Sequence, residues 1–593
     1  MPRGWADHPE RPLLGVIVAL NAWTWRGVLR AVSWPNDLAM HDAMVQWATG
    51  RMARGHLPLD GWMPSLSGGL AQFHHYQSLP HVLTAVAGLA IGPQRAVHLA
   101  LWLAASTWPV TLYLGGRALG IGRRPALVAA ACAPLLHSTT GYGFEPASYL
   151  WLGNGLWSQA WGMWVAPLAI GWTVQSARSG ERPVRAAVAV ALLVLFHLPT
   201  AWFALLFLAI SPFLHPGQLR ARLLRTVRIV AAALLGCAWF LVPFLLDRPT
   251  ENRSVYGRGG VFEHSYGWHD VVRWASAGDL LDQGRLPVLS LLVVVGVAAA
   301  VRRWRLDAGA REVLVLGVLS LVLLCGRDPF GPLIALIPTS GSVFLHRAIA
   351  MVQLSALWLA GWGADAVAQL VERSLRRRSW SPPRLARAAS VAVVAVLLIP
   401  GVLSTRALFA RDRAWMADQA RADHRAGGAL DALIDVAEAR GGGRVYAGQL
   451  RGDRTVMVGQ VPGPIWLAHR NVDAKGFVLR VSALFSDIEV LIDPTSAPDL
   501  EAAGVRWVLQ PSSQPPAPGT RFVAQRRDIQ LWEVPGRGMA FIADLELPAI
   551  ELATDQVAVG ALAALRQEDD PSAVRAVTVA GRGRPARGAS GGG

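Results

Sequence analysis

Apolar positions in this chain fall into long blocks rather than strict alternation, and short arginine-bearing links separate the blocks. Eleven blocks, near 12–32, 97–116, 125–140, 157–175, 186–198, 201–215, 228–247, 286–301, 312–325, 343–370 and 388–407, predict helices that cross a bilayer. Several fall short of the roughly 20 residues that span the hydrocarbon squarely. The pair 186–198 and 201–215, joined at Leu198-Pro199-Thr200, reads as two short helices lining a cavity. The pattern changes at about residue 408. A stretch rich in Ala, Arg and Asp (411–440) reads as a helix, and β-prone runs follow at Arg444–Ala447, Val505–Leu509, Arg521–Ala524 and Ile529–Val534, punctuated by Pro and Gly. The predicted architecture is an all-α polytopic membrane domain of about 11 transmembrane helices plus interfacial helices (1–407), with a C-terminal mixed α/β extracytoplasmic domain (408–576) and a disordered tail (577–593). No internal repeat is visible.

The polar links give the blocks a direction. Arg117/Arg123/Arg124, Arg178/Arg182/Arg185, Arg220/Arg222/Arg225/Arg228, Arg302/Arg303/Arg305 and Arg373/Arg376/Arg377/Arg378 fall on one side if the eleven blocks alternate. The positive-inside rule makes that side cytoplasmic, together with the N-terminus. The parity holds only if the apolar stretch 79–92 does not cross, so an interfacial or re-entrant helix is expected there. The odd count places the C-terminal domain outside, where a scaffold role is favoured over glycan binding. Three loops are then external: 33–96, 141–156 and 248–285. They collect Asp37, His41, Asp42, His74, His75, Glu145, Arg253, Arg258, Glu263, His264 and Asp270. Carboxylates and imidazoles gathered on one face of a membrane protein mark that face as the functional one.

Composition agrees. Of 593 residues, 53% are hydrophobic and 16% charged, against roughly 25% charged in soluble domains. The 25 Trp against 7 Tyr fit aromatic belts at the membrane interfaces. A net charge of +16 raises nucleic-acid binding, but the arginines sit in interhelical links, with no base-stacking or groove-reading element, so no nucleic-acid partner is expected. The three cysteines, Cys132, Cys237 and Cys325, lie in or beside apolar blocks and read as small buried residues rather than a disulfide framework. The first block lacks a small-residue cleavage site and reads as an uncleaved span. Lys475 is the only lysine, a bias that points to a GC-rich bacterial genome and hence to the cytoplasmic (inner) membrane of a bacterium.

The most informative stretch follows the first block. Asn36-Asp37-Leu38-Ala39-Met40-His41-Asp42 opens an amphipathic helix, roughly 38–54, with Asp37 and His41 one turn apart. Gly55…Pro58, Trp62…Pro64, Gly68-Gly69 and Phe73…Tyr76…Leu79 come next. A carboxylate here can act as a general base; it can equally cap the helix. Arg347, in Phe344-Leu345-His346-Arg347 at the external start of the tenth block, places a fixed cation near the outer interface, or simply snorkels to it. Glu145, in Gly143-Phe144-Glu145-Pro146, reads as a functional acid or a plain loop carboxylate.

These motifs and this layout resemble the GT-C class of integral membrane glycosyltransferases, of the bacterial, polyprenyl-phosphate-sugar-dependent type. The resemblance rests on motifs over 33–80 and on topology elsewhere. It implies a sugar moved from a polyprenyl-phosphate donor to an extracytoplasmic glycan or lipid-linked acceptor. Asp37 and His41 would be catalytic. Arg347, His346, Arg253 and Arg258 are the candidates for the donor phosphate, and Glu145, Asp42, Tyr76 and His264 for a second acid or the acceptor. No cofactor is required by this reading and no metal residues are assigned. An Asp-x-Asp pair, which marks metal-using branches, is absent, leaving a divalent ion as an open alternative. Two other readings stand beside it: a non-catalytic scaffold for envelope-polysaccharide assembly, and a lipid-linked-saccharide transporter.

Overall fold

The computed structural model describes residues 10–59, 61–65, 69, 71–74, 76–247, 259–377, 382–449, 454–475, 492–536, 544–552 and 573–579. Each of the eleven apolar blocks holds a helix. In chain order the first ten are α1 (Glu10–Trp25), α2 (Asp37–Ala53), α3 (Leu79–Ile91), α4 (Pro93–Leu119), α5 (Arg123–Cys132), α6 (Trp157–Ser179), α7 (Pro183–Phe196), α8 (Leu198–Ile210), α9 (Leu219–Gly236) and α10 (Ala238–Asp247). They are followed by α11 (Gly260–His264), α12 (Gly267–Ala277), α13 (Val288–Arg303), α14 (Ala308–Cys325), α15 (Arg327–Ala335), α16 (Ile349–Arg377) and α17 (Pro383–Ala422). Helix α16 forms the axis of the body: every residue from Ile349 to Ala364 is buried, as in a helix surrounded by others. Small residues let neighbours approach closely. At Gly171 of α6 a side chain would strike the backbone of Gly115 in α4, and Gly363 of α16 leaves the same clearance for Leu292 of α13.

Among the described residues, five helical segments are long and apolar enough to cross a membrane by themselves: Glu10–Leu29, Pro93–Leu119, Ala308–Cys325, Leu345–Arg377 and Arg384–Ala439. The chain is a membrane protein by this measure, with fewer self-sufficient spans than the eleven expected. The difference has a physical cause: α5 and α10 have only 10 residues each, α7 has 14 and α8 has 13. In addition, Leu198–Leu214 and Pro216–Gly236 meet at a bend of 94°. The stretch 79–92 forms the 13-residue helix α3.

The arginine-bearing links gather at one end. Arg123 reaches Glu10 at 3.6 Å, Arg225 donates to the Ala177 and Arg178 carbonyls, and His215 meets Glu312 at 2.7 Å. The opposite end carries α2, the 3₁₀ turn Leu345–Ala348 that leads into α16, and the C-terminal domain.

The helix expected to begin near 411 is instead the continuation of α17, a 40-residue helix that runs through residue 408 without a break. It ends in a π-helical turn, Asp423–Gly427, before α18 (Gly428–Ala439). All four expected strands form. With β1 (Arg444–Tyr446), β4 (Ala474–Lys475), β5 (Val505–Pro511), β6 (Arg521–Arg526) and β7 (Ile529–Glu533), the sheet order is β4-β1-β5-β7-β6. The β1 pairings are parallel, whereas β5–β7 and β7–β6 are antiparallel. Alternation along β5 sends Trp507 and Leu509 to the α18 face, against Leu430, Leu433 and Ile434. Val508 faces Leu500 on the other side, and Val505 joins it because the register shifts by a residue between its pairing with Arg444 and that of Trp507 with Val445. The short strands β2 (Met457–Val458) and β3 (Val461–Pro462) form a hairpin, followed by α19 (Gly463–His469), with α20 (Ala497–Ala502) further on. Strands β8 (Asp544–Leu552) and β9 (Ala573–Val579) pair in parallel, so β9 takes in residues 577–579 of the segment expected to be disordered.

Candidate functional site

Helix α2 begins where the chain leaves α1. Its N-cap is Asn36, whose side-chain oxygen accepts from the Leu38 amide, so the capping role open to Asp37 belongs to its neighbour. The Asn36 amide nitrogen donates to the Leu150, Trp151 and Gly153 carbonyls, and the Asp37 amide donates to the Asn154 carbonyl at 3.2 Å. The start of α2 is thereby locked onto the second loop, leaving the Asp37 carboxylate free of the capping bond. Asp37 is exposed to solvent, yet it is crowded enough that desolvation raises its carboxyl above the usual range, with the positive charge of Arg347 pulling the other way. A carboxylate that is both open to water and strongly desolvated lines a recess.

Arg347 projects from the 3₁₀ turn ahead of α16 into the same electrostatic neighbourhood. Its guanidinium stacks 4.6 Å over the Tyr142 ring and donates to Gln159 Oε1 at 3.3 Å. Gln159 is fixed in turn by donating to the Tyr142 and Gly143 carbonyls at 3.0 and 2.7 Å. The Tyr76 hydroxyl lies 3.4 Å from Ser158 Oγ. Burial holds its acidity at about 12, with Asp37 and Arg347 among its charged neighbours. Asp37, Arg347 and Tyr76, which come from three separate stretches of sequence, therefore lie within electrostatic reach of one another at the recess that holds Asp37.

The other candidates lie around it in different roles. His41 sits on α2 one turn below Asp37, buried, with Nδ1 2.9 Å from His81 Nε2 and its ring 5.4 Å from Trp157. Burial lowers its pKa to about 3, so the ring is neutral near neutral pH. Asp42 turns away from the recess to meet His469 of α19 at 2.5 Å. Glu145 is fully enclosed; it accepts from Gln353 Nε2 at 2.7 Å and ties the second loop to α16, its carboxyl raised by desolvation. His346 is buried among Tyr142, Phe262 and Phe344 beside Arg347. His264 is half-exposed and pairs with Asp328 at 3.2 Å. Arg253, Arg258, His75 and Gly68 lie outside the described residues.

Sequence reasoning missed four residues of this neighbourhood. Gln159 and Tyr142 contact Arg347 directly. Tyr266 feels its charge, and burial pushes that phenol upward. His197 caps α8 by accepting from the Thr200 amide and sits within electrostatic reach of Arg347 and His41. Only the lone polar run Ser158-Gln159 at the head of an apolar helix signalled any of them. Among the described residues, no three His, Cys, Asp or Glu side chains come together as a metal site would require.

No curated protein matches the chain. Solved structures do. The oligosaccharyltransferase of Archaeoglobus fulgidus in its apo form aligns over 86% of this chain and 70% of its own, at 12% identity and a TM-score of 0.52. The archaeal oligosaccharyltransferase AglB from the same organism, in complex with an inhibitory peptide and a dolichol-phosphate, aligns over the same shares at 11% identity and 0.53. ArnT from Cupriavidus metallidurans in the apo state aligns over 87% of this chain and 97% of its own, at 14% identity and 0.44. At these identities the likeness to the archaeal oligosaccharyltransferase is one of fold alone. At the level of sequence, a model of a family of unknown function (DUF6541) matches residues 12–458, and the chain belongs to that family.

Proposed function

We propose that this protein is a membrane glycosyltransferase that moves a sugar from a polyprenyl-phosphate donor to an extracytoplasmic glycan or lipid-linked acceptor. The observation that carries the reading is Asp37 within electrostatic reach of Arg347, a desolvated carboxylate and a fixed guanidinium at the membrane-domain end that carries the C-terminal domain. The acceptor hydroxyl attacks the anomeric carbon and gives its proton to Asp37, while the bond from that carbon to the phosphate oxygen breaks. The electron pair leaves with the lipid phosphate, whose charge Arg347 faces. A raised carboxyl pKa strengthens Asp37 as a base, and Gln159 and Tyr142 hold the guanidinium in place. The GT-C fold supports the reading, as does the dolichol-phosphate bound by the archaeal relative.

The test is transfer in proteoliposomes from a panel of short-chain polyprenyl-phosphate pentoses and hexoses, reading release of the lipid phosphate. The wild-type protein turns over at least one donor, and Asp37→Asn lowers kcat by about 10²–10⁴-fold at unchanged abundance. Equal turnover by the variant defeats the assignment of the base. Turnover of no donor by the wild type would favour the scaffold reading, and movement of an intact labelled lipid across the vesicle would favour the transporter.

A further inference from the structure

The far end of α1 and the later half of α17 pack side by side. Trp25 meets Phe409 edge-on with ring centroids 4.9 Å apart, and at Gly27 a side chain would collide with Arg413. One turn further along α17 the two elements part around an open cavity of about 450 Å³, lined by Arg30, Ala417, Ala420, Arg421, His424 and Arg425. Toward the membrane, both helices expose apolar side chains: Leu13, Val16 and Leu20 on α1, and Val396, Ile399 and Leu403 on α17. The change from apolar to cationic surface is marked by exposed Trp23, over which the Arg26 guanidinium stacks at 3.7 Å. An indole and a cation placed so define the headgroup level. The cavity therefore opens where lipid phosphates lie.

We propose that this cavity binds the phosphate headgroup of an anionic membrane lipid, in the leaflet on the side of the C-terminal domain. Three guanidiniums and an imidazole line it. One guanidinium, that of Arg421, also pairs with Asp418, so a net positive charge remains. Guanidinium forks match phosphate oxygens in pairs, and the remaining positive charge favours a headgroup with no cation of its own over a zwitterionic one. The apolar faces of α1 and α17 give the acyl chains a wall to follow. The site also sits on a joint. His424 and Arg425 belong to the π-helical turn, and the carboxylate of Asp423 in that turn accepts from the Ser33 amide at 2.8 Å and from the Ser33 hydroxyl. Ser33 lies four residues before Asp37, so a bound headgroup fastens the C-terminal domain to the segment that leads into α2. This site is separate from the recess, and its test does not depend on transferase activity.

The experiment places the full chain in nanodiscs of phosphatidylcholine with graded phosphatidylglycerol, extracts it, and counts retained lipids by native mass spectrometry. Wild type retains phosphatidylglycerol over phosphatidylcholine by at least about tenfold. The triple variant R30Q/R421Q/R425Q loses that preference, whereas R521Q/R526Q/R527Q, a charge-matched change on the sheet, keeps it. The single variants R30Q and R425Q, on different elements, carry the test if the triple does not fold. Unchanged retention in the R30Q/R421Q/R425Q protein, or no preference in wild type, overturns the proposal. Millimolar inorganic phosphate is the last arm: failure to displace the lipid supports a headgroup site, and full displacement overturns it in favour of soluble phosphate.

Discussion

At the residue scale, the chemistry depends on how two opposing influences on Asp37 balance. Desolvation raises its carboxyl, and Arg347 lowers it. The base must be ionised to accept a proton, so activity falls as pH drops through its pKa. Removing the Arg347 charge takes away the lowering influence, and Asp37 then holds its proton to a higher pH. Arg347→Gln should therefore move the acidic limb of the kcat/KM profile upward as well as reduce kcat/KM by at least about tenfold, roughly 1.4 kcal/mol. Arg347→Lys should leave the limb close to wild type. An arginine that only packs against Tyr142 would reduce activity without moving the limb, and a pH titration of the three proteins separates the cases. Asp37 could be singled out from sequence because its place, right after the first apolar block, is a local feature. Gln159 could not, because its contact with Arg347 spans 188 residues and no nearby pattern announces it.

At the element scale, the unexpected feature is the contact between α19 and α2. Asp42, five residues beyond Asp37, is buried against His469 at 2.5 Å, and Ser65 donates to Asn471 at 3.2 Å close by. Burial lowers the His469 pKa, but Asp42, with help from Asp423 and against Arg470, outweighs it and the net shift is upward. A histidine whose folded pKa is raised adds stability that is complete below its unfolded value, about 6.5, and is lost as pH rises through the folded value. Hydrogen exchange should accordingly show α19 and α2 losing protection together as the solution is made alkaline. His469→Ala should remove that pH dependence and cost about 3 kcal/mol, since it strands a buried carboxylate. Loss of protection in α19 alone, with α2 unaffected, would mean that the pair does not couple the domain to the helix that carries Asp37. The elements were mostly legible: blocks predicted helices, and β-branched and aromatic runs between Pro and Gly predicted strands. The join near 408 was not. Between Gly401 and Gly427 there is neither proline nor glycine, so nothing stops α17 when its surroundings turn from apolar to polar. Composition changed there, but helix propensity did not.

At the scale of the whole molecule, the short arginine-bearing links and the recess occupy opposite ends of the helix body. Arg-bearing links at one end bind one another's carbonyls and carboxylates, while the recess, α2 and the C-terminal domain occupy the other. A polyprenyl-phosphate donor and an extracytoplasmic acceptor require the second end to face outward, which is the orientation expected from the arginine asymmetry. The three native cysteines are buried, so single introduced cysteines report with little background. Ser179, exposed at the end of α6, marks the arginine end, and Ser513, exposed just beyond β5, marks the C-terminal domain. An impermeant maleimide added to intact spheroplasts should label Ser513→Cys and leave Ser179→Cys unmodified until the membrane is permeabilised. Labelling of Ser179→Cys alone would turn the protein over, putting the recess on the cytoplasmic side, where nucleotide-activated sugars are the donors at hand. Labelling of both would contradict a body that separates its two ends across the bilayer. The orientation therefore decides between donor classes that the recess, with one guanidinium facing one carboxylate, does not separate by charge alone.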